Sequence, residues 1–81
     1  MKANLDSIEK KINSIWREVL QIKLDNNEQN FFSVGGNSIQ AMNIISLINT
    51  YYQCNLSFID FLEALTILNL AKCINDKLQS L

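Results

Sequence analysis

The chain has no histidine and no proline, and among its 81 residues it holds only two glycines and two cysteines. Without histidine there is no imidazole to serve as general base for a serine nucleophile, which argues against self-contained acyl-transfer catalysis. Cys54 and Cys73 fit neither a Cys-x-x-Cys redox motif nor zinc-ligand spacing, and they read as small buried or half-buried thiols. No Lys/Arg run or basic stripe exists, and the seven basic and eight acidic residues nearly cancel, which argues against a nucleic-acid footprint. Charge is also missing along one stretch, from Gln29 through Ile59. That stretch is broken by Asn, Ser, Gly, Gln and Thr, so it lacks the continuous apolar span of a transmembrane helix. The N-terminus has no apolar signal region and carries both signs of charge. The expectation is a cytoplasmic protein that touches neither membrane nor nucleic acid and binds no metal.

What is present is helical periodicity. With 48% hydrophobic residues, the length suits one small domain over residues 1–81, without room for a second core. Leu5, Ile8, Ile12, Ile15, Trp16, Val19 and Leu20 recur at steps of three and four, predicting a first helix over Leu5–Leu20 with Asp6 or Ser7 as its cap. Turn formers Asp25, Asn26, Asn27 and Asn30 mark a long loop over about Lys23–Asn37, pinned by Leu24, Phe31, Phe32 and Val34. A second helix is predicted from Ser38 to Tyr52 and a short third from Phe58 to Glu63, with Ser57 and Asp60 at capping spacing. A fourth runs from near Thr66 to Gln79, its apolar face made of Ile67, Leu70, Ala71, Ile74 and Leu78. The fold class is therefore all-α: a four-helix bundle of three longer helices and one short third helix, with a long loop between helices one and two. Trp16, Phe31 or Phe32, Ile44, Ile48, Leu70 and Ile74 are the expected core.

On the helix-two wheel, Ala41, Ile44, Ile45, Ile48 and Tyr52 share the core stripe. Ile39, Met42, Asn43, Ser46 and Thr50 point elsewhere, and none is charged. A solvated face ordinarily carries Lys and Glu, so this one reads as a partner-binding surface with Ile39 and Met42 as anchors.

Both glycines stand in the string Phe31-Phe32-Ser33-Val34-Gly35-Gly36-Asn37-Ser38-Ile39-Gln40. A nucleophile elbow would need a glycine two residues after the serine, and a phosphate-binding loop would need a lysine before it. Neither is there. A serine at a helix N-terminus, beside flexible glycines, suits attachment of a phosphate group by a separate enzyme. It equally suits a plain N-cap contributing about 1 kcal/mol. Residue physics alone leaves both readings open.

The same string resembles the carrier (thiolation) domains of nonribosomal peptide synthetases, the peptidyl carrier proteins, whose signature is close to D-x-F-F-x-L-G-G-x-S-[LI]. Ile15-Trp16-Arg17-Glu18-Val19-Leu20 is similar to the family's first helix, Phe58 through Ala64 to its third, and Thr66-Ile67-Leu68-Asn69-Leu70-Ala71 to the start of its fourth. Gln29, Val34, Asn37 and Leu65 stand where Asp, Leu, His or Asp, and Pro are common. The resemblance implies a carrier without catalytic residues. Ser38 would bear a covalent 4′-phosphopantetheine arm, with Gly36 and Asn37 completing the cofactor-binding set. A phosphopantetheinyl transferase would install the arm from coenzyme A, using its own Mg²⁺. The arm's thiol would hold aminoacyl or peptidyl groups as thioesters for adenylation, condensation, thioesterase or tailoring enzymes. Those enzymes would meet Ile39, Met42, Asn43 and Ser46, and the carrier would act as a monomer. The alternatives are an acyl carrier protein of fatty acid or polyketide type, and an unmodified helical interaction module. The uncharged second helix argues against the former, which pairs an acidic helix with basic enzyme patches.

Overall fold

A computed structural model describes residues 4–80 and consists there of four helices: α1 (Leu5–Leu20), α2 (Ser38–Tyr52), α3 (Phe58–Ala64) and α4 (Ile67–Gln79). The all-α bundle with a short third helix and a long first loop matches the expectation from periodicity. α1 packs against α4 and α2, while α3 closes the bundle against α4 and α2. The apolar stripe of each helix meets at one core. α1 contributes Ile8, Ile12, Ile15, Trp16 and Leu20, α2 contributes Ala41, Ile44 and Ile48, and α4 contributes Ile67, Leu70, Ala71 and Ile74. Phe31 and Leu56 from the loops and Phe61 from α3 complete it, with Phe31 edge-on to Phe61 at 4.9 Å and to Trp16 at 5.1 Å. Ile45 and Tyr52, placed by the wheel on the core stripe, are only half-buried and pack at its margin.

The helix starts are defined by side-chain caps. α1 is capped by Asn4, whose Oδ1 accepts from the Ser7 N–H at 2.7 Å. This corrects the expectation of Asp6 or Ser7. Asparagine is an equally strong cap, and taking it lets Asp6 stand in the first turn, where a carboxylate favours the helix dipole. Ser57 and Asp60 form the expected capping box on α3, and Thr66 caps α4. The helix ends have no glycine to use. Gln21, Gln53 and Leu65 adopt left-handed backbone at α1, α2 and α3, at φ 56°, 54° and 61°, where glycine usually sits.

The first loop is tied down by bonds to distant residues. The Phe31 N–H donates to the Leu65 carbonyl at 2.8 Å, and the Leu68 N–H donates to the Asn27 carbonyl at 2.9 Å. Asn27 also donates to Glu9 Oε1 at 3.1 Å and accepts from Asn13 Nδ2 at 3.1 Å, joining the loop to α1. The second loop is closed by Asn49, which bonds both backbone groups of Leu56. Cys54 and Cys73 are free and half-buried.

Candidate functional site

The Ser38 turn is built by the end of the first loop. Asn30 Oδ1 accepts from the N–H groups of Phe32 and Ser33, at 2.9 and 3.2 Å, and starts a turn. The Gly35 and Gly36 N–H groups then donate to the Phe32 and Phe31 carbonyls, at 3.1 and 3.0 Å. The two glycines serve different ends. Gly35 has φ 100°, a backbone state that side-chain-bearing residues rarely adopt, although the space a Cβ would occupy there is open. Gly36 lacks that constraint, but a Cβ there would sit 2.5 Å from the Phe31 ring. The fully buried Phe31 therefore lies directly against the backbone leading into α2. Of the two aromatics read as core anchors, Phe31 takes the role. Phe32 remains 41% exposed with its ring against Phe31 at 5.3 Å.

The start of α2 is fixed by Asn37. Its Oδ1 accepts from the Gln40 N–H at 2.9 Å, and Gln40 Oε1 accepts from the Asn37 N–H at 3.1 Å, a reciprocal capping box. Ser38 is thus the first helical residue rather than the cap, which corrects the N-cap reading. Its side chain is exposed and makes no hydrogen bond among the described residues. The first turn of α2 contains no carboxylate. A hydroxyl there stands at the positive end of the helix dipole with no partner among the described residues. That is the environment a phosphodiester on this oxygen would fit, since a phosphate is favoured at a helix start and nothing anionic competes for it.

Behind Ser38, Ile39 is 74% exposed and Met42 62% exposed. Asn43 and Ser46 are exposed as well. The face is open, as the charge-free wheel implied, and α2 buries only its other stripe. Two surface clefts, one lined by Ser14, Arg17, Glu18, Gln21, Ile22 and Lys23 and one by Lys11, Ile15, Glu18, Leu47, Thr50 and Tyr51, include no residue of the Ser38 turn. The Ser38 side chain is itself exposed to solvent. No cluster of metal-ligating side chains occurs among the described residues, and no described helix is long and apolar enough to cross a membrane.

Comparison with known proteins bears on nearly the whole chain. The family described as "phosphopantetheine attachment site" matches residues 10–74. The chain belongs to this family. Phosphinothricin tripeptide synthetase PhsC of Streptomyces viridochromogenes is 37% identical over 71 residues, 88% of this chain and 6% of that protein. The curated relatives are thus far longer, and this carrier spans 6% of their length or less. BlmI, a type-II acyl-carrier protein from Streptomyces verticillus involved in bleomycin biosynthesis, is similar in structure with TM-score 0.86 and 27% identity over 91% of this chain and 89% of that one. A peptidyl carrier protein solved with the phosphopantetheine transferase Sfp and coenzyme A gives TM-score 0.84 and 28% identity, covering 94% of this chain and 99% of that one. The carrier is of the nonribosomal-peptide-synthetase type, a carrier rather than an enzyme, and its family is one that bears phosphopantetheine.

Proposed function

We propose that Ser38 is the attachment residue, and that the carrier delivers aminoacyl or peptidyl groups between enzymes of peptide assembly. The observation that carries this reading is the exposed Ser38 hydroxyl, free of hydrogen bonds among the described residues, at the uncharged first turn of α2. When bound, the arm supplies a terminal thiol that holds an acyl group as a thioester. The chain's own residues do the rest. Gly36 lets the backbone entering α2 lie directly against the Phe31 ring, and Asn37 supplies a neutral cap that adds no negative charge beside a phosphodiester. Backbone N–H groups of the first turn favour that phosphodiester through the helix dipole.

The partners are a phosphopantetheinyl transferase and the adenylation, condensation, thioesterase or tailoring enzymes that load and use the arm. They meet Ile39, Met42, Asn43 and Ser46, the exposed and uncharged side of α2. An acyl carrier of fatty acid type is disfavoured because α2 offers no carboxylate to a basic enzyme patch. Tethering replaces diffusional encounter by a high effective concentration at each partner, which is why the carrier needs no pocket or catalytic group. The test is the intact mass after incubation with coenzyme A, Mg²⁺ and a broad-specificity transferase. Wild type gains one phosphopantetheinyl group and Ser38→Ala gains none. Modification of the Ala variant would overturn the assignment.

A further inference from the structure

We propose that Gln40 is a positioning residue for the modification of Ser38, acting through Asn37. The proposal rests on Ser38 being the attachment residue. The reason is a competition between two caps. Serine is itself a preferred N-cap, and at a helix start its oxygen accepts a backbone N–H from two or three residues on. This molecule shows what then becomes of the hydroxyl: Ser57 caps α3, and its Oγ accepts from the Asp60 N–H at 3.0 Å. Ser38 stands one residue inside α2 and escapes that fate. Asn37 takes the cap, and the Gln40 side chain locks it there by accepting the Asn37 N–H at 3.1 Å.

Without the Gln40 acceptor, one of the two reciprocal bonds is lost. The start of α2 can then slip by one residue, with Ser38 Oγ accepting the Ala41 N–H that now goes to the Asn37 carbonyl at 2.9 Å. In that state the oxygen is turned onto its own helix and one of its lone pairs is engaged. Modification requires the opposite. Ser38 Oγ forms a bond to the pantetheine-bearing phosphorus as the pyrophosphate bond of coenzyme A breaks. The nucleotide leaves as adenosine 3′,5′-bisphosphate, and the hydroxyl proton passes to a base of the transferase. A nucleophile misplaced by an ångström loses rate in the chemical step more than in binding.

The experiment compares wild type, Gln40→Met and Gln40→Glu. Met, Glu and Gln have near-equal helix propensity, so the series varies the acceptor while keeping length and backbone preference. Single-turnover modification by a broad-specificity transferase is measured against carrier concentration. In Gln40→Met the rate at saturating carrier falls about tenfold, with half-saturation moving less than twofold. In Gln40→Glu, whose carboxylate can complete the box but adds a charge to the first turn, the rate returns to within about twofold of wild type at an ionic strength that screens that charge. Gln40→Met at the wild-type rate overturns the proposal, as does an equal loss in both variants. A wild type that gains no mass instead refutes the attachment reading and removes this proposal with it, so the two failures are distinguishable.

Discussion

Replacing Gly36 by alanine tests the packing that holds the Ser38 turn. The added Cβ would lie 2.5 Å from Phe31 Cε2 and Cζ and 2.8 Å from Cδ2. An ordinary contact needs at least 3.4 Å, so ring and backbone must separate by roughly 1 Å. Phe31 cannot yield freely. It is fully buried, with Trp16 at 5.1 Å and Phe61 at 4.9 Å, and its own N–H is bonded to the Leu65 carbonyl. Overpacking of this kind costs about 1–3 kcal/mol, and the lower chain entropy of alanine in the unfolded state returns about 0.4–1 kcal/mol. Because the ring is enclosed on several sides, the net loss should be about 2 kcal/mol, or roughly 8–16 °C in Tm for a domain of this size. The assay is urea unfolding followed by fluorescence of Trp16, the single tryptophan. Combining Gly36→Ala with Phe31→Leu should recover about 1 kcal/mol relative to the sum of the single changes. An unchanged midpoint in Gly36→Ala, or strict additivity with Phe31→Leu, would refute the argument.

Other outcomes follow from the same geometry. Ser38→Ala should change stability by less than about 0.5 kcal/mol, because Asn37 holds the cap, whereas Asn37→Ala should lose about 1 kcal/mol; thermal unfolding of both variants checks the contrast. Met42→Glu should fold like wild type, because the side chain is 62% exposed, yet slow acyl transfer to partner enzymes; unfolding would show that this face is core. The Ser57 N–H, helped by Lys77 at 3.1 Å, holds the Asp60 carboxyl below its usual pKa. With the folded value below the unfolded one, its contribution is present above the unfolded pKa of about 4 and disappears as pH falls through the folded value. Tm measured against pH should therefore fall less steeply below about pH 4 in Asp60→Asn than in wild type.

The helices were legible because each carries a clean apolar stripe. α1 and α2 begin and end where the periodicity of Ile8, Ile12, Ile15 and Trp16, or of Ala41, Ile44 and Ile48, predicts. The Ser57–Asp60 box was visible as spacing because both partners are local. The caps of α1 and α2 were not legible in the same way. Asn4, Asp6 and Ser7 compete at the first start, and Asn37 and Ser38 at the second, and all of them are good caps. What decides the second contest is the Gln40 side chain folding back, which composition does not reveal. Nor does spacing distinguish Phe31 from Phe32, since the choice depends on the bond from the Phe31 N–H to Leu65, more than thirty residues away. Sequence alone suggests only flexibility for the glycine pair. Only Gly35 uses that freedom, while Gly36 is required by a ring five residues earlier in the chain. The departures from the family signature have local consequences that can now be named. Asn37 makes a neutral cap, and Leu65 takes a left-handed backbone at φ 61° that proline cannot adopt.

The claim at the centre of this account is that Ser38 bears the arm. The most direct measurement is fragmentation mass spectrometry of the protein after modification with coenzyme A and a transferase. The prediction is a single phosphopantetheinyl group on the peptide containing Ser38, with Ser33 and Ser46 unmodified. An arm on either of those serines, or none on a folded protein that carried none beforehand, would contradict it.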